Sequence, residues 1–204
     1  MRQVRSTLRN HNFHSKLAKC KCFHPFVVFF GHILSSDAIS PCPQKVDAVK
    51  NWPVPTDLSS LQSFLGFMSY YRRFIHGFAR IVTPLNLLQT TDVPFSWTPT
   101  CQTAFEHLRD ALTCEPVVKL FDRDLHTRVE SDSSGFAIRI VLTQKHRDGW
   151  HPVEFLSRSM TAPDKNYPIQ EQELLAMIYV LKKWIHTIFG MKITAYTDHS
   201  SLTT

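Results

Sequence analysis

Long apolar runs are missing from this sequence, and so is a closed set of cysteine pairs. The longest apolar stretches, PFVVFF and LLAMIYVL, fall far short of the roughly 20 residues that a membrane-spanning helix needs. The N-terminus has basic residues but no apolar stretch after them, which argues against a secretory signal peptide. The five cysteines are an odd number, so they suit reduced thiols better than a disulfide framework. We therefore expect an intracellular chain without a membrane partner, in a compartment that the sequence does not identify.

Carboxylates are absent from the first 36 residues. Six basic residues fall in the same part of the chain: Arg2, Arg5, Arg9, Lys16, Lys19 and Lys21. The whole chain has a net charge of +6. A basic segment of this kind often faces the phosphate backbone of a nucleic acid. A solvated helix face explains the pattern equally well, so composition alone leaves both interpretations open.

Cys20 and Cys22, together with His24, form half of a zinc-site pattern. A structural zinc site has four ligands, and no second pair follows here at the spacing of a zinc finger. We therefore interpret this segment as a strand with small buried thiols rather than as a metal site.

The remaining pattern is that of a globular protein, with mostly helices before residue 115 and mostly strands after it. An apolar content of 43% and a mean hydropathy of −0.16 suit one or two domains with real cores. Helices are predicted at about 2–12, 44–51, 58–75, 99–112 and 168–188, and strands within 17–34 and at about 117–120, 126–132, 136–143, 153–158 and 192–197. Thr56 or Asp57 caps the third helix, and Thr98 caps the fourth. The composition shift near 115–125 predicts a domain boundary, followed by the order β-β-β-α-β.

Three carboxylates in the last third of the chain lie on these predicted elements. Asp132 closes a strand, Glu173 lies on the last helix, and Asp198 closes the last strand. Because Mg²⁺ prefers oxygen ligands, acids that meet at one edge of a sheet are typical of metal-dependent phosphoryl transfer. Each acid also has an ordinary explanation: Asp132 starts a turn, Glu173 is a surface acid, and Asp198 caps a helix. Glu171 is as good a candidate as Glu173 by composition alone.

Longer motifs identify a family for almost the whole chain. The segment FLGFMSYYRRFI is followed in order by VESDSSGFAIRIVLTQ, by NYPIQEQELLAMIYVLKKW and by YTDHSSL. With these motifs the chain resembles the polymerase polyprotein of gypsy-type long-terminal-repeat retrotransposons. The resemblance implies the end of a reverse transcriptase palm at 1–36, a helical thumb at 37–92, a connection at 93–123 and a C-terminally truncated RNase H-like domain at 124–204. The implied fold class is α/β (α+β), with helical thumb and connection before an incomplete mixed sheet with a helix.

The resemblance also assigns roles to the three carboxylates. Asp132, Glu173 and Asp198 would bind two Mg²⁺ ions, or Mn²⁺ in their place, and catalyse the hydrolysis of RNA in an RNA–DNA hybrid. Asp132 would bridge the two ions, while Glu173 and Asp198 would hold the second. The ELLA context selects Glu173 over Glu171.

The chain departs from the family pattern in three ways. The polymerase aspartates of the YxDD hairpin would precede the first helix, and a fourth RNase H carboxylate would follow Asp198. Neither is present in the sequence. Arg139 and Ile140 stand where relatives have glycine and alanine, so a bulky cation would crowd the neighbouring strand or approach the substrate. We therefore expect an internal piece of a polyprotein, without polymerase activity, with weak hydrolysis at best and with other parts of the polyprotein as partners.

The thumb helix offers a second, non-catalytic site. Gln62, Gly66 and Tyr70 recur every four residues and share one helix face, and Arg72 and Arg73 follow them. In retroviral relatives the corresponding face follows the minor groove of the primer–template, and a glycine permits close approach of nucleic acid. The alternative is that Tyr70 packs against the connector and the arginines are solvated.

Three hypotheses for the function remain open at this point. The first is a fragment of reverse transcriptase–RNase H that hydrolyses RNA–DNA hybrids. The second is an inactive nucleic-acid-binding remnant of a retroelement, which uses the basic N-terminal segment and the thumb helix to bind a hybrid or a primer–template. The third is a translation product that does not fold, because a sheet without its last strand has an uncovered edge.

Overall fold

The computed structural model describes residues 2–16, 20–90, 94–114, 117–134 and 136–197, the side chains of 133 and 134 excepted. The helices are α1 (Arg2–Asn10), α2 (Pro43–Lys50), α3 (Leu58–Tyr70), α4 (Phe78–Ile81), α5 (Thr83–Leu87), α6 (Pro99–Thr113), α7 (Ala162–Lys165) and α8 (Ile169–Ile188). The strands are β1 (Phe26–Phe29), β2 (His32–Ser35), β3 (Ala38–Pro41), β4 (Val118–Lys119), β5 (Thr127–Ser134), β6 (Ala137–His146), β7 (Gly149–Ser159) and β8 (Ile193–Thr197). The expected α/β fold class is confirmed. Across these ranges, no helix combines the length and the apolar character that crossing a membrane requires.

The first sheet is antiparallel and has the order β1-β2-β3-β4. β1 and β2 form a hairpin whose turn residues, Phe30 and Gly31, have positive φ angles of 46° and 77°. A turn of this kind favours glycine, and a Cβ at Gly31 would lie 2.7 Å from the hydroxyl oxygen of Tyr71. The sequence pattern did not predict β3, because Pro41 and Pro43 suggested a connector there; the segment pairs with β2 on one side and with the distant β4 on the other.

The segment around the first two cysteines differs from its prediction. Cys20 is exposed and Cys22 is half-buried, and neither lies in a strand. The expected strand with buried thiols is therefore wrong. β1 begins only after Pro25, a residue that has no N–H to donate to a strand partner.

The first hydrophobic core is built by α2, α3 and α6. Asp57 caps α3 by accepting a hydrogen bond of 2.8 Å from the Ser60 N–H. Thr98 caps α6 by accepting one of 3.3 Å from the Cys101 N–H. The three helices fill the core with buried apolar side chains: Val49, Leu61, Phe64, Leu65, Met68, Phe105, Leu108 and Leu112. Both predicted capping positions are confirmed, with Asp57 as the cap of α3.

The third helix ends earlier than its apolar stripe predicted. α3 ends at Tyr70, and a 3₁₀ turn, Arg72–Phe74, takes the place of its expected last turn. The turn brings the rings of Tyr71 and Phe74 to centroid distances of 5.3 and 5.5 Å from the ring of His32 in β2. Packing of these rings on the hairpin therefore overrides the helical period.

The second sheet has the order β7-β6-β5-β8, with β8 parallel to β5 and the other pairs antiparallel. α8 connects β7 to β8 and packs on one face of the sheet. The second core lies between that face and the helix: Val129, Ile138, Ile140, Leu142, Ala176, Val180 and Trp184. The predicted order β-β-β-α-β is confirmed. Because β5 and β8 are parallel neighbours, their C-terminal ends lie side by side.

Strand β7 joins the two cores. The backbone N–H of Ala79 in α4 donates a hydrogen bond of 2.9 Å to Ser157 Oγ in β7. The rings of His76 and Phe155 meet edge to face with centroids 5.5 Å apart. These contacts hold the segment between α3 and α4 against the second sheet, where it forms one wall of the cavity described next.

Candidate active site

Asp132 and Arg139 form an ion pair across two antiparallel strands. The two residues are directly opposite each other in the pairing of β5 with β6, and Arg139 Nη2 donates a hydrogen bond to Asp132 Oδ2. The side chain of Asp132 is 41% exposed and that of Arg139 is 26% exposed. Arg139 stands where a small residue is expected, and its side chain contacts Asp132, the predicted metal ligand.

The ion pair lines a cavity of about 370 Å³ at one end of the second sheet. The other lining residues are His76, Arg128, Glu130, Ser131, Val141, Tyr196 and Thr197. Gly77 covers the arginine side chain closely, since a Cβ at this glycine would lie 3.3 Å from Arg139 Cδ. Burial and the nearby Arg139 charge lower the pKa of His76, and Glu130 partly offsets that shift.

Glu173 is a buried carboxylate in the first turns of α8. It is 1% exposed, and its Oε2 accepts a hydrogen bond of 3.0 Å from Thr197 Oγ1 at the end of β8. Thr197 pairs with Ser131 in the parallel register of β8 with β5. Glu173 therefore lies at the same end of the sheet as Asp132, whereas Glu171 is exposed to solvent.

Strand alternation puts Asp132 and Glu173 on different faces of the sheet. Ser131 is the cross-strand partner of Ile140, which packs in the core beneath α8, so the next residue, Asp132, faces the other side. The two carboxylates thus lie near the ends of β5 and β8 on opposite faces of the sheet. Thr197 contacts Glu173 and also lines the cavity that contains Asp132.

The carboxylates of the candidate site suit a divalent metal, but the positive charge of Arg139 opposes metal binding. The carboxylate oxygens of Asp132 and Glu173 are the kind of ligand that Mg²⁺ prefers. Asp198 directly follows β8 and lies outside the described residues. Among the residues that are described, no three acidic, histidine or cysteine side chains are grouped so that they could hold a metal. The guanidinium of Arg139 opposes a second cation at Asp132.

The predicted thumb face is exposed on α3. Gln62, Gly66 and Tyr70 all face solvent, and a Cβ at Gly66 would meet no atom within 4 Å. The Tyr70 hydroxyl donates a hydrogen bond of 2.6 Å to the carbonyl oxygen of Phe30, so this ring packs on the hairpin rather than on the Pro-rich connector.

The two arginines that follow the predicted thumb face, Arg72 and Arg73, differ in exposure. Arg72 is exposed, while Arg73 is half-buried and lies 3.9 Å from Glu154 of β7. Arg73 therefore already has a partner of opposite charge within the protein, and Arg72 is the more accessible of the two cations.

Sequence reasoning did not select Thr197 and His76, which line the cavity, or Gly77, which lies against Arg139. Thr197 had a signal, because it belongs to the TDH motif that also contains Asp198. His76 and Gly77 had none, because they follow α3 in the chain. Only the packing of that segment on β7 brings His76 to the cavity and Gly77 to Arg139.

The sequence is similar to a known domain family and to known retrotransposon polyproteins. Residues 97–195 match the family model described as "RNase H-like domain found in reverse transcriptase". The Transposon Tf2-3 and Tf2-4 polyproteins of Schizosaccharomyces pombe are each 36% identical to the chain over 207 residues. The matched region covers 99% of this chain, and the chain spans 15% of the length of these polyproteins.

Solved structures show the same fold at lower identity. A foamy viral protease-reverse transcriptase in complex with RNA/DNA hybrid is similar with a TM-score of 0.76 and 24% identity, over 89% of this chain and 25% of that chain. The complex of the foamy viral protein with dsDNA is similar with a TM-score of 0.77 and 24% identity, over 97% of this chain and 42% of that chain. Residues 97–195 therefore belong to the family of RNase H-like domains found in reverse transcriptases, within a chain homologous to part of a retrotransposon polyprotein.

Proposed function

We propose that this chain is the reverse transcriptase–RNase H part of a retroelement polyprotein and that it hydrolyses RNA in RNA–DNA hybrids with Mg²⁺. The observation that carries the proposal is the position of Asp132 at the end of a central strand and of Glu173 on the adjoining helix, with Thr197 linking their surroundings. Asp198, the residue after β8, would complete the set. A solved structure with the same fold is of a reverse transcriptase in complex with RNA/DNA hybrid, which supports this substrate class.

Each residue of the proposed site has a distinct task. Asp132, Glu173 and Asp198 would hold the metal, with Mn²⁺ as the alternative ion. When bound, the metal supplies a Lewis acid that activates water and stabilises negative charge on the leaving oxygen. Asp132 lines the open cavity, so it is the carboxylate that would lie next to the scissile phosphate. Glu173 is held in one orientation by the Thr197 hydroxyl. The lowered pKa of His76 disfavours a positive charge on this side chain, in a cavity that must admit a cation.

The division of the chain is part of the proposal. We assign 1–36 to the end of the palm, 37–92 to the thumb, 93–123 to the connection and 124–204 to the RNase H-like domain. The two separate cores support the third boundary, since the buried side chain of Val118 packs in the first core and that of Val129 in the second.

We further propose that the exposed face of α3 contacts the nucleic acid. Gln62, Gly66, Tyr70 and Arg72 would follow the duplex, and Arg73 would reach a phosphate from its position beside Glu154. A glycine inside a helix costs about 1 kcal/mol relative to alanine. No protein atom lies within 4 Å of a Cβ at Gly66, so packing within the described residues does not require a glycine there. Close approach of a ligand backbone is the reason that remains.

Gly66→Ala tests this interface because its two expected effects have opposite signs. The substitution should raise the free energy of unfolding by about 1 kcal/mol, because the helix gains stability and the added methyl group meets no clash. It should also weaken binding of an RNA–DNA hybrid by about tenfold, which corresponds to about 1.4 kcal/mol. Urea unfolding and fluorescence anisotropy measure the two quantities. Unchanged hybrid affinity in the stabilised variant would refute the contact at Gly66.

Hydrolysis is tested by cleavage of a labelled RNA–DNA hybrid with Mg²⁺ or Mn²⁺. Asp132→Asn should lower the cleavage rate by at least about 100-fold, because a lost ligand removes several kcal/mol of transition-state stabilisation. Asp124→Asn is the matched control, since it removes the same charge from an exposed loop position and should leave the rate unchanged.

The same experiment separates the first two hypotheses, the active fragment and the inactive nucleic-acid-binding remnant. Equal cleavage by the parent chain and by Asp132→Asn would show that the activity comes from elsewhere. Absence of cleavage by the parent chain, together with hybrid binding that weakens steeply as salt is added, would favour the inactive nucleic-acid-binding remnant.

A further inference from the structure

We infer that Arg139 is a built-in counter-cation of Asp132 and that a divalent metal must displace its guanidinium before it can bind. This inference rests on the proposed function, because it concerns the same metal ligand. It starts from the ion pair in which Arg139 Nη2 donates to Asp132 Oδ2. That carboxylate oxygen cannot accept the guanidinium and coordinate a metal at full strength simultaneously.

The pair is built into the strand register. Asp132 and Arg139 are direct cross-strand partners on the same face of the sheet, so their Cβ atoms are neighbours and no loop has to move to bring the charges together. The guanidinium is tethered beside the carboxylate, and its local concentration therefore far exceeds that of a metal ion in solution. A positive charge at this short range also repels any cation that enters the cavity.

The surroundings of Arg139 favour this arrangement. Gly77 covers the arginine side chain, since a Cβ at this glycine would lie 3.3 Å from Arg139 Cδ. The arginine Nε is buried and has no hydrogen-bond partner among the described residues. Arg139 therefore carries a polar atom that its protein environment leaves unsatisfied, while its terminal nitrogen neutralises Asp132. The arginine is therefore placed to neutralise the Asp132 carboxylate, even though its own Nε is left without a hydrogen bond in the described part of the chain.

A second arginine–aspartate pair provides the comparison. Arg158 of β7 pairs with Asp164 of α7, and its side chain is 31% exposed, close to the 26% of Arg139. Asp164 is held in addition by the Thr161 N–H at 2.9 Å in a capping box. This pair is absent from the cavity lining that contains Asp132. Removing Arg158 therefore changes the net charge by the same amount as removing Arg139, without affecting the proposed ligand.

Calorimetric titration of the full chain with Mn²⁺ tests the inference without any measurement of cleavage. Arg139→Gln should bind Mn²⁺ at least about tenfold more tightly than the parent chain, because it removes the positive charge and keeps a polar side chain. Arg139→Lys and Arg158→Gln should bind as the parent chain does. The double variant Asp132→Asn/Arg139→Gln should lose the gain, which would assign it to Asp132. Circular dichroism checks that each variant is folded, and Arg139→Ala replaces Arg139→Gln if the latter does not fold.

Different results contradict the inference and the proposed function. Equal Mn²⁺ affinity of the parent chain and of folded Arg139→Gln would overturn the inference, whatever the cleavage assay shows. Tighter Mn²⁺ binding by Arg139→Gln that depends on Asp132, without hybrid cleavage by any variant, would support the inference and overturn the proposed hydrolysis.

Discussion

Changing Glu173 to glutamine should lower the rate of hybrid cleavage by at least about 100-fold, because the amide is a weaker and uncharged metal ligand. The substitution is isosteric, and the amide oxygen still accepts a hydrogen bond from Thr197 Oγ1. The fold should therefore persist, so a loss of rate reports on the chemistry. Cleavage of a labelled hybrid at several Mg²⁺ concentrations measures the effect, and the melting temperature confirms that the variant is folded.

Glu171 is the matched control for this experiment. It lies two positions earlier on α8 and is exposed, whereas Glu173 is 1% exposed. Glu171→Gln removes the same charge from the same helix and should leave the cleavage rate unchanged. A loss of rate in Glu171→Gln together with full activity in Glu173→Gln would exchange the roles of the two acids and contradict the proposed site.

Truncation of Phe64 to alanine should lower the free energy of unfolding by about 3–5 kcal/mol, because it removes a large buried ring and leaves a cavity. Phe64 is 0% exposed and lies at the centre of the first core. Its ring centroid is 4.7 Å from that of Phe105 in α6 and 5.8 Å from that of Trp52. The loss therefore weakens the contact between α3 and two neighbouring segments at once.

Leu58→Ala serves as the control for the core substitution. Leu58 begins the same helix and is 40% exposed, so its truncation should cost about 0.5 kcal/mol or less. Urea unfolding followed by circular dichroism and by tryptophan fluorescence measures both variants. Similar destabilisation of Phe64→Ala and Leu58→Ala would show that the first core does not depend on the ring of Phe64.

Elements with a strong local signal were predicted correctly from the sequence. The helix α6 begins with Thr98 as its cap and Pro99 in its first turn, and both signals act within one turn of the chain. The helix α8 and the strands around it follow from uninterrupted apolar patterns. A helix cap and an amphipathic period both depend on residues close together in the chain, so both can be recognised from a single sequence.

Elements that depend on distant partners were missed or misplaced. β3 pairs with its neighbour β2 and also with β4, a short strand that lies beyond the helical region. The early end of α3 at Tyr70 depends on the packing of Tyr71 and Phe74 against the β1–β2 hairpin. Neither feature has a periodic signature, because part of the pairing or packing that stabilises it comes from residues far away in the chain.

For the candidate site, the sequence alone determined which carboxylates lie on which elements. Strand and helix patterns assigned Asp132 to a strand end and Glu173 to a helix, because those patterns depend on neighbouring residues. Only the tertiary structure decided what each carboxylate touches. The β5–β6 register brings Arg139 onto Asp132, and the parallel pairing of β5 with β8 brings Thr197 to Glu173. Strand register is set by long-range pairing, and this pairing gives the proposed metal ligand a resident positive charge.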